Sequence, residues 1–419
     1  MLEDFQESLR KYAEVAVRVG NNLQPGQRLM IIGRWLNRGV PLELAPLVHA
    51  IAIAAYEAGA PFVDVIWGDQ QMDLLRYEHA PKDSFEIYPE WFVNAMLGYL
   101  ERGDAVMVIF AEDPQLLKDQ DADLVNLVTK TAHKYLQPPM KYITGNITNW
   151  AGIGAPVQGW ADLVFPELDP DRRVDRLWEA IFKVCRVDRP DPLEAWKGHI
   201  SDLTRRAEYL NRKRYDALHY LGPGTDLTVG LPAGHIWQNA GMKTKSGIPF
   251  TANIPTEEVF CLPHRERADG VVSSTKPLSY AGTIMENFQL TLESGKVVEA
   301  KAEKGEKQLR DMIASDGNAS RLGEVALVPF SSPISQSGVL FYNTLYDENA
   351  ACHIALGRGI RACLDGGMDM DEDQFRQAGG NHSQIHVDFM VGSAELAIDG
   401  LTSEGAREPI LRQGEWAFD

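Results

Sequence analysis

The run Ala105-Val106-Met107-Val108-Ile109-Phe110 is six apolar residues with no polar interruption. A strand with one wet face alternates apolar and polar residues, whereas a strand covered on both faces has no reason to. This run is also too short for a helix and lies between turn signals, so it reads as a strand buried on both sides. Working back from it, Tyr88 to Arg102 has helical spacing and stops at Gly103. Pro61 to Trp67 (PFVDVIW) reads as another strand, and it follows an apolar helix, Pro41 to Ala58, ended by Gly59. Further upstream, Arg28 to Ile32 reads as a short strand after the turn Pro25-Gly26-Gln27, and Asp4 to Val19 has helical periodicity. Strands that alternate with helices build an open α/β domain on a mainly parallel sheet.

Downstream the texture changes. Arg172 to Arg186 and Pro192 to Lys213 read as helices flanking the turn Asp188-Arg189-Pro190-Asp191-Pro192. Beyond Lys213, short alternating segments are punctuated by Gly and Pro: Leu218 to Leu221, Asp226 to Leu231, Val271 to Ser274, Thr283 to Leu292 and Lys296 to Glu303. A helix over Glu306 to Ser315 interrupts them. A strand over Gly323 to Pro329, a helix near Glu348 to Gly357, and strands over Ile385 to Gly392 and Glu395 to Ile398 follow. This pattern predicts an α+β domain rich in antiparallel strands. The expected division is residues 1–190, a helical bridge over 191–213, and a C-terminal domain over 214–419.

Bulk properties narrow the function. The 419 residues carry a formal charge of -18, which repels phosphate backbones and anionic membrane surfaces, so neither nucleic acid nor membrane is an expected partner. The N-terminus, Met1 to Asp4, is acidic and precedes no apolar core, so it does not read as a signal peptide. Four cysteines, Cys185, Cys261, Cys352 and Cys363, show no CxxC spacing and fit a reducing, cytoplasmic compartment.

Four segments of the C-terminal half hold polar groups in apolar surroundings. In Gln384 to Met390, His386 and Asp388 are two apart on a strand and share one face. Such a pair can bind a metal, orient an imidazole, or form a surface ion pair. In Pro255-Thr256-Glu257-Glu258-Val259-Phe260 a strand would turn one carboxylate to each face, and a buried carboxylate needs a partner or a metal. In Leu322-Gly323-Glu324-Val325, Glu324 opens an apolar strand at a glycine, where backbones can approach closely. In Asp347-Glu348-Asn349-Ala350-Ala351-Cys352-His353 a helix would put Asn349 and His353 on one face, with Glu348 turned away unless it precedes the first turn. There is no G-x-S-x-G elbow, H-E-x-x-H helix or P-loop. Cys352 adjoins His353, but neighbours on a helix diverge too far to act as nucleophile and base.

Taken together, NIPTEEVF (Asn253 to Phe260), RLGEVALVP (Arg321 to Pro329), LYDENAACHIALG (Leu345 to Gly357) and QIHVDFMVGS (Gln384 to Ser393) resemble the M29 metallo-aminopeptidases. The likeness extends through NLQPGQRLMI (Asn22 to Ile31), FVDVIW (Phe62 to Trp67) and GPGTDLTVGLP (Gly222 to Pro232). The resemblance implies a cytoplasmic homodimer that removes residues from peptides with a free N-terminus. It implies two divalent ions per chain, zinc or cobalt ahead of magnesium or manganese. By motif position the ligands fall on Glu258, Glu324, His353, His386 and Asp388, with Glu324 shared between ions and Glu348 an additional ligand. Glu257 and Glu324 are the expected catalytic carboxylates, with His382 a second candidate for the proton. One position departs: the family usually has a tyrosine seven residues after the third-motif histidine, and Ile360 stands there. Tyr342 and Tyr346 are candidate substitutes. Two alternatives stay open: a mononuclear iron(II) ring-cleaving dioxygenase built on His353, His386 and Asp388, and a catalytically impaired binding protein with the same fold.

Overall fold

The computed structural model describes residues 5–34, 39–280 and 283–418. The acidic start, Met1 to Asp4, lies outside them. The chain forms two compact units: Met1–Ile200 with Gly241–Pro255, and Ser201–Ala240 with Thr256–Asp419.

The first unit is built on five strands in the order Asn253–Ile254, Trp150–Gly154, Ala105–Phe110, Leu29–Gly33, Val63–Val65. Every pairing in it is parallel. Leu29–Gly33 is buried along its whole length, and Ala105–Phe110 is buried up to its last residue. That is the physical cause of their unbroken apolar sequence. The Pro61 to Trp67 segment contributes only Val63–Val65, because it forms the sheet edge and is half-covered. Several elements escaped the sequence reading, among them the helix Ala122–Thr144, the strand Trp150–Gly154 and the shorter helices Gln70–His79 and Gln158–Val164. The first of these contains Pro138 and Pro139, which disguise it. Its buried Ala132, Leu136 and Ile143 recur at helical spacing and pack with Phe92, Met96 and Tyr99 of the helix Glu90–Leu100. Residues 241–255 belong to this unit because Asn253–Ile254 extends the sheet beside Trp150–Gly154.

The second unit holds two antiparallel sheets. The larger has nine strands, among them Ala217–Gly222, Thr225–Gly230, Ala268–Ser273, Thr283–Glu293 and Lys296–Lys304. The smaller runs His386–Met390, His353–Gly357, Leu322–Leu327, Val259–Cys261, Gln238–Asn239, with every pairing antiparallel. All four polar segments thus supply adjacent strands of one sheet.

One expectation is corrected here. Glu348 to Gly357 is not a helix: a short helix Thr344–Asp347 passes into a 3₁₀ turn over Glu348–Ala350, and His353–Gly357 is a strand. Ala355 and Leu356 are helix formers, but this strand is fully buried and hydrogen-bonded on both sides. Tertiary pairing of that kind overrides local propensity. Gly357, at φ 101°, ends it in a conformation that L side chains rarely adopt.

Candidate metal centre

The pleat of the smaller sheet decides which side chains meet. Ala355 lies opposite Glu324 on one side and Asp388 on the other. His353 lies opposite Ala326, and His386 opposite Gly357. Residues opposite one another, and residues two apart along a strand, share a face. Glu324, His353, His386 and Asp388 therefore project from one face, interleaved with Ala326, Ala355 and Gly357, which are too small to fill the space between them. Glu258 precedes the Val259–Cys261 strand and is two residues from Phe260, which lies opposite Ala326. Leu322 and Glu324 flank a register shift at Gly323, where a Cβ would lie 2.4 Å from the Arg358 carbonyl oxygen. That close approach requires glycine.

Two sets of three side chains converge among the described residues: Glu258, Glu324 and His353, and Glu324, His386 and Asp388. In each set one ligand-capable atom from every member lies within 4.8 Å of the others, and Glu324 belongs to both. His353 Nε2 is 3.1 Å from Glu258 Oε2, and His386 Nε2 is 3.1 Å from Glu324 Oε2 and 3.6 Å from Asp388 Oδ1. Each ring's other nitrogen faces a backbone carbonyl: His353 Nδ1 is 3.1 Å from Ala351 O, and His386 Nδ1 is 2.7 Å from Arg358 O. A proton held on Nδ1 by a carbonyl leaves the Nε2 lone pair free for a metal.

The electrostatics point the same way. Burial opposes charging His353, but the hydrogen bond to Glu258 and the fields of Glu258, Asp388 and Glu324 outweigh it and hold the imidazole well above its ordinary value. Burial also opposes charging His386, and Asp388 with Glu324 still carries it up to about 9. Burial, with the neighbouring Asp388 and Glu258 charges, pushes Glu324 up to about 7 against the pull of His386. Three carboxylates, with Glu348 beside them, surround two imidazoles, so the metal-free cluster retains protons that divalent cations would displace. The donor set fits such cations: carboxylate oxygens and imidazole nitrogens suit zinc, cobalt and manganese. Asp388 Oδ1 is buried and has no hydrogen-bond partner, as expected of an atom meant for a cation.

Glu348 lies beside this group but in neither set of three. Burial and the charges of Glu258 and Asp388 push it well above the usual carboxylate range. Glu257 is also buried, and its backbone N–H donates to Asn349 Oδ1 at 2.7 Å. Its side chain is among the charges acting on Arg206, whose own pKa is lowered chiefly by burial. The strand reading had turned only one of this pair inward, yet both are buried, because they precede the strand. His382 is half-exposed, 3.4 Å from Glu372 Oε1, and in neither set. Ile360 packs against the apolar cluster of Phe260, Leu262, Ala326, Cys363, Leu364 and Phe375. Tyr346 is fully buried and stacked on Phe341. Cys352 is buried, its thiol pushed up to about 12 by burial and bonded to Val328 O, so it is no nucleophile. The sequence reading missed Asn349 as a bonding centre, because a helix would have turned its amide toward His353.

With Glu258 and Glu324 in the cluster, the residues exceed the two-histidine, one-carboxylate set of the dioxygenase alternative. The fold is similar to the 2,5-dihydroxypridine dioxygenase of Pseudomonas putida, at a TM-score of 0.55 and 12% identity over 99% of this chain and 97% of that one. At that identity the likeness concerns the fold alone. Aminopeptidase 2 of Geobacillus stearothermophilus is 44% identical over 415 residues, 99% of this chain and 99% of that protein. Aminopeptidase T of Thermus thermophilus is 41% identical over 99% of this chain and 100% of its own length. The solved structure of wild-type AmpT from the same organism superposes with a TM-score of 0.92 at 41% identity, covering 99% of this chain and 100% of that one. The family model described as thermophilic metalloprotease (M29) matches residues 5–416, and the chain belongs to that family of metallopeptidases.

Proposed function

We propose that the chain is an aminopeptidase with two divalent metal ions, zinc or cobalt ahead of magnesium or manganese, that hydrolyses the first peptide bond of peptides with a free N-terminus. The observation that carries this reading is the pair of overlapping ligand sets joined at Glu324. Glu258 and His353 would hold one ion, His386 and Asp388 the other, and Glu324 would reach both. Ions bound there supply Lewis-acid activation of a peptide carbonyl and of water, and an anchor for the substrate's α-amine. The chain's own groups do the rest. Ala326, Ala355 and Gly357 leave the sheet face open for the ligands. Ala351 O and Arg358 O keep both imidazoles in the coordinating tautomer. Of the carboxylates outside the shared set, Glu348 is the better placed proton carrier: it adjoins the ligands, whereas Glu257 lies in the field of Arg206. Glu348 would accept a proton from water at a carboxylate oxygen and return it to the leaving amine.

A homodimer fits the series of exposed apolar side chains on the first unit, among them Ile53, Tyr56, Phe62, Met72, Ile87 and Trp91. A cytoplasmic location fits the four cysteines, all buried and none in a disulfide. Among the described residues no helix is long and apolar enough to cross a membrane. The test of the main proposal is metal depletion. Chelated protein should be inert toward aminoacyl chromogenic substrates and recover on adding zinc or cobalt, with two ions bound per chain. Activity that persists after complete depletion would overturn it.

A further inference from the structure

Asn349 is a polar side chain beside the cluster that bonds to several of its neighbours. It is fully buried. Its Oδ1 accepts from the backbone N–H of Glu257 at 2.7 Å, one residue before Glu258. Its Nδ2 donates to Leu345 O at 3.2 Å and lies 3.4 Å from Glu348 Oε1. Its backbone carbonyl accepts from Ser332 Oγ at 3.1 Å. A buried amide offers two donor hydrogens and an acceptor oxygen, and here each has a partner. One side chain thus ties three things together: the backbone that aims Glu258, the carboxylate of Glu348, and the end of the helix Thr344–Asp347.

Glu258 precedes its strand, so the sheet ladder does not hold it directly. Glu348 lies in a single 3₁₀ turn, too short to fix a side chain by itself. We infer that Asn349 is a positioning residue that holds Glu258 and Glu348 in register and thereby sets the affinity of the Glu258–Glu324–His353 half of the cluster for a divalent cation. The inference rests on reading that cluster as the metal site. Its physical basis is that groups orienting a ligand are worth about 10- to 100-fold in metal affinity, because a misaimed ligand must be reorganised at each binding event.

Three variants separate positioning from plain stability. Asn349→Ala removes every side-chain bond. Asn349→Asp keeps an oxygen for the Glu257 N–H, loses the donors, and sets a like charge against Glu348. Ser332→Ala removes the bond to the Asn349 carbonyl and leaves the amide alone. The probe is zinc, titrated into chelated protein against a competing chelator, with bound zinc counted and the melting temperature read with and without it. Both Asn349 variants should lose about 10- to 100-fold in affinity for one of two ions. Ser332→Ala should lower the metal-free melting temperature yet bind zinc as the unaltered chain does. If Asn349→Ala does not fold, Asn349→Asp carries the comparison. Equal zinc affinity in the unaltered chain and the Asn349 variants would overturn the inference while leaving the metal site standing. Failure of the unaltered chain to bind zinc, cobalt or manganese would instead overturn the site itself.

Discussion

Stripping the metal should make the protein less stable as the pH rises, and the structure gives the sign and the size. His386 carries a pKa raised to about 9 from an ordinary 6.5. Its contribution is present in full below the unfolded value and is lost as the pH climbs through about 9. Glu324 is raised to about 7 from 4.5, so above 4.5 the folded state keeps a proton that the unfolded chain has released. Stability therefore falls across that interval as well. The two shifts come partly from the same 3.1 Å contact and are not added. Either alone corresponds to a loss on the order of 3 kcal/mol. For units of this size that is roughly 6–12 °C in melting temperature. Bound cations displace the same protons, so the stabilisation given by zinc should grow over the same range. The assay is thermal unfolding of chelated and zinc-loaded protein at about pH 5 and about pH 9, repeated with Glu324→Gln to subtract groups elsewhere. The variant cannot ionise and removes one of the carboxylates that hold the His386 proton, so roughly half the slope or more should vanish. Metal-free stability that is level or rises with pH, or a slope unchanged in Glu324→Gln, would refute the reasoning.

Three further outcomes follow from the same geometry. Metal counts should distinguish the ligands by element analysis: Glu258→Gln and Asp388→Asn should each keep about one ion per chain, and Glu324→Gln should keep neither firmly. Gly323→Ala brings a Cβ to 2.4 Å from Arg358 O, which should cost about 1–3 kcal/mol in denaturant unfolding and reduce bound zinc by moving Glu324. Glu348→Gln should keep both ions and lower kcat by about 10²–10⁴-fold, whereas Glu257→Gln should not; a Glu348→Gln enzyme of normal kcat would remove it as proton carrier.

What the sequence made legible, and what it hid, divides along physical lines. Strands buried on both faces announce themselves, as Leu29–Gly33 and Ala105–Phe110 do, because nothing polar can sit in them. The helix Ala122–Thr144 stayed hidden because two prolines mask a periodicity that its buried face keeps. The same-face reading of His386 and Asp388 needed only the two-residue repeat of a strand, and both do meet Glu324. Glu348 and His353 were harder. Their separation depends on where a turn gives way to a strand, and the strand exists because two neighbours claim its backbone. No local signal in Asp347 to Gly357 carries that information.

The pattern of small residues is the part of the site that sequence could have revealed and periodicity alone did not. Four ligand candidates crowd one sheet face, with Glu258 reaching them from the strand's entrance, because Ala326, Ala355 and Gly357 occupy the positions opposite or between them. A Leu or Val at Ala355 would stand between Glu324 and Asp388. An apolar strand with alanine or glycine on one face and large residues on the other is therefore a sign of something that must fit above the small face. In His353–Gly357 that alternation is explicit, since His353, Ala355 and Gly357 face the cluster while Ile354 and Leu356 face away. Core packing alone would favour a larger side chain at Ala355, because each unfilled methylene forfeits buried area, whereas Gly357 is held small by its φ of 101° and by Ile385 O, 2.3 Å from where its Cβ would stand. The absence of one at Ala355, on the face that carries Glu324, His353, His386 and Asp388, is what room for a cation between them requires and what close packing for its own sake does not.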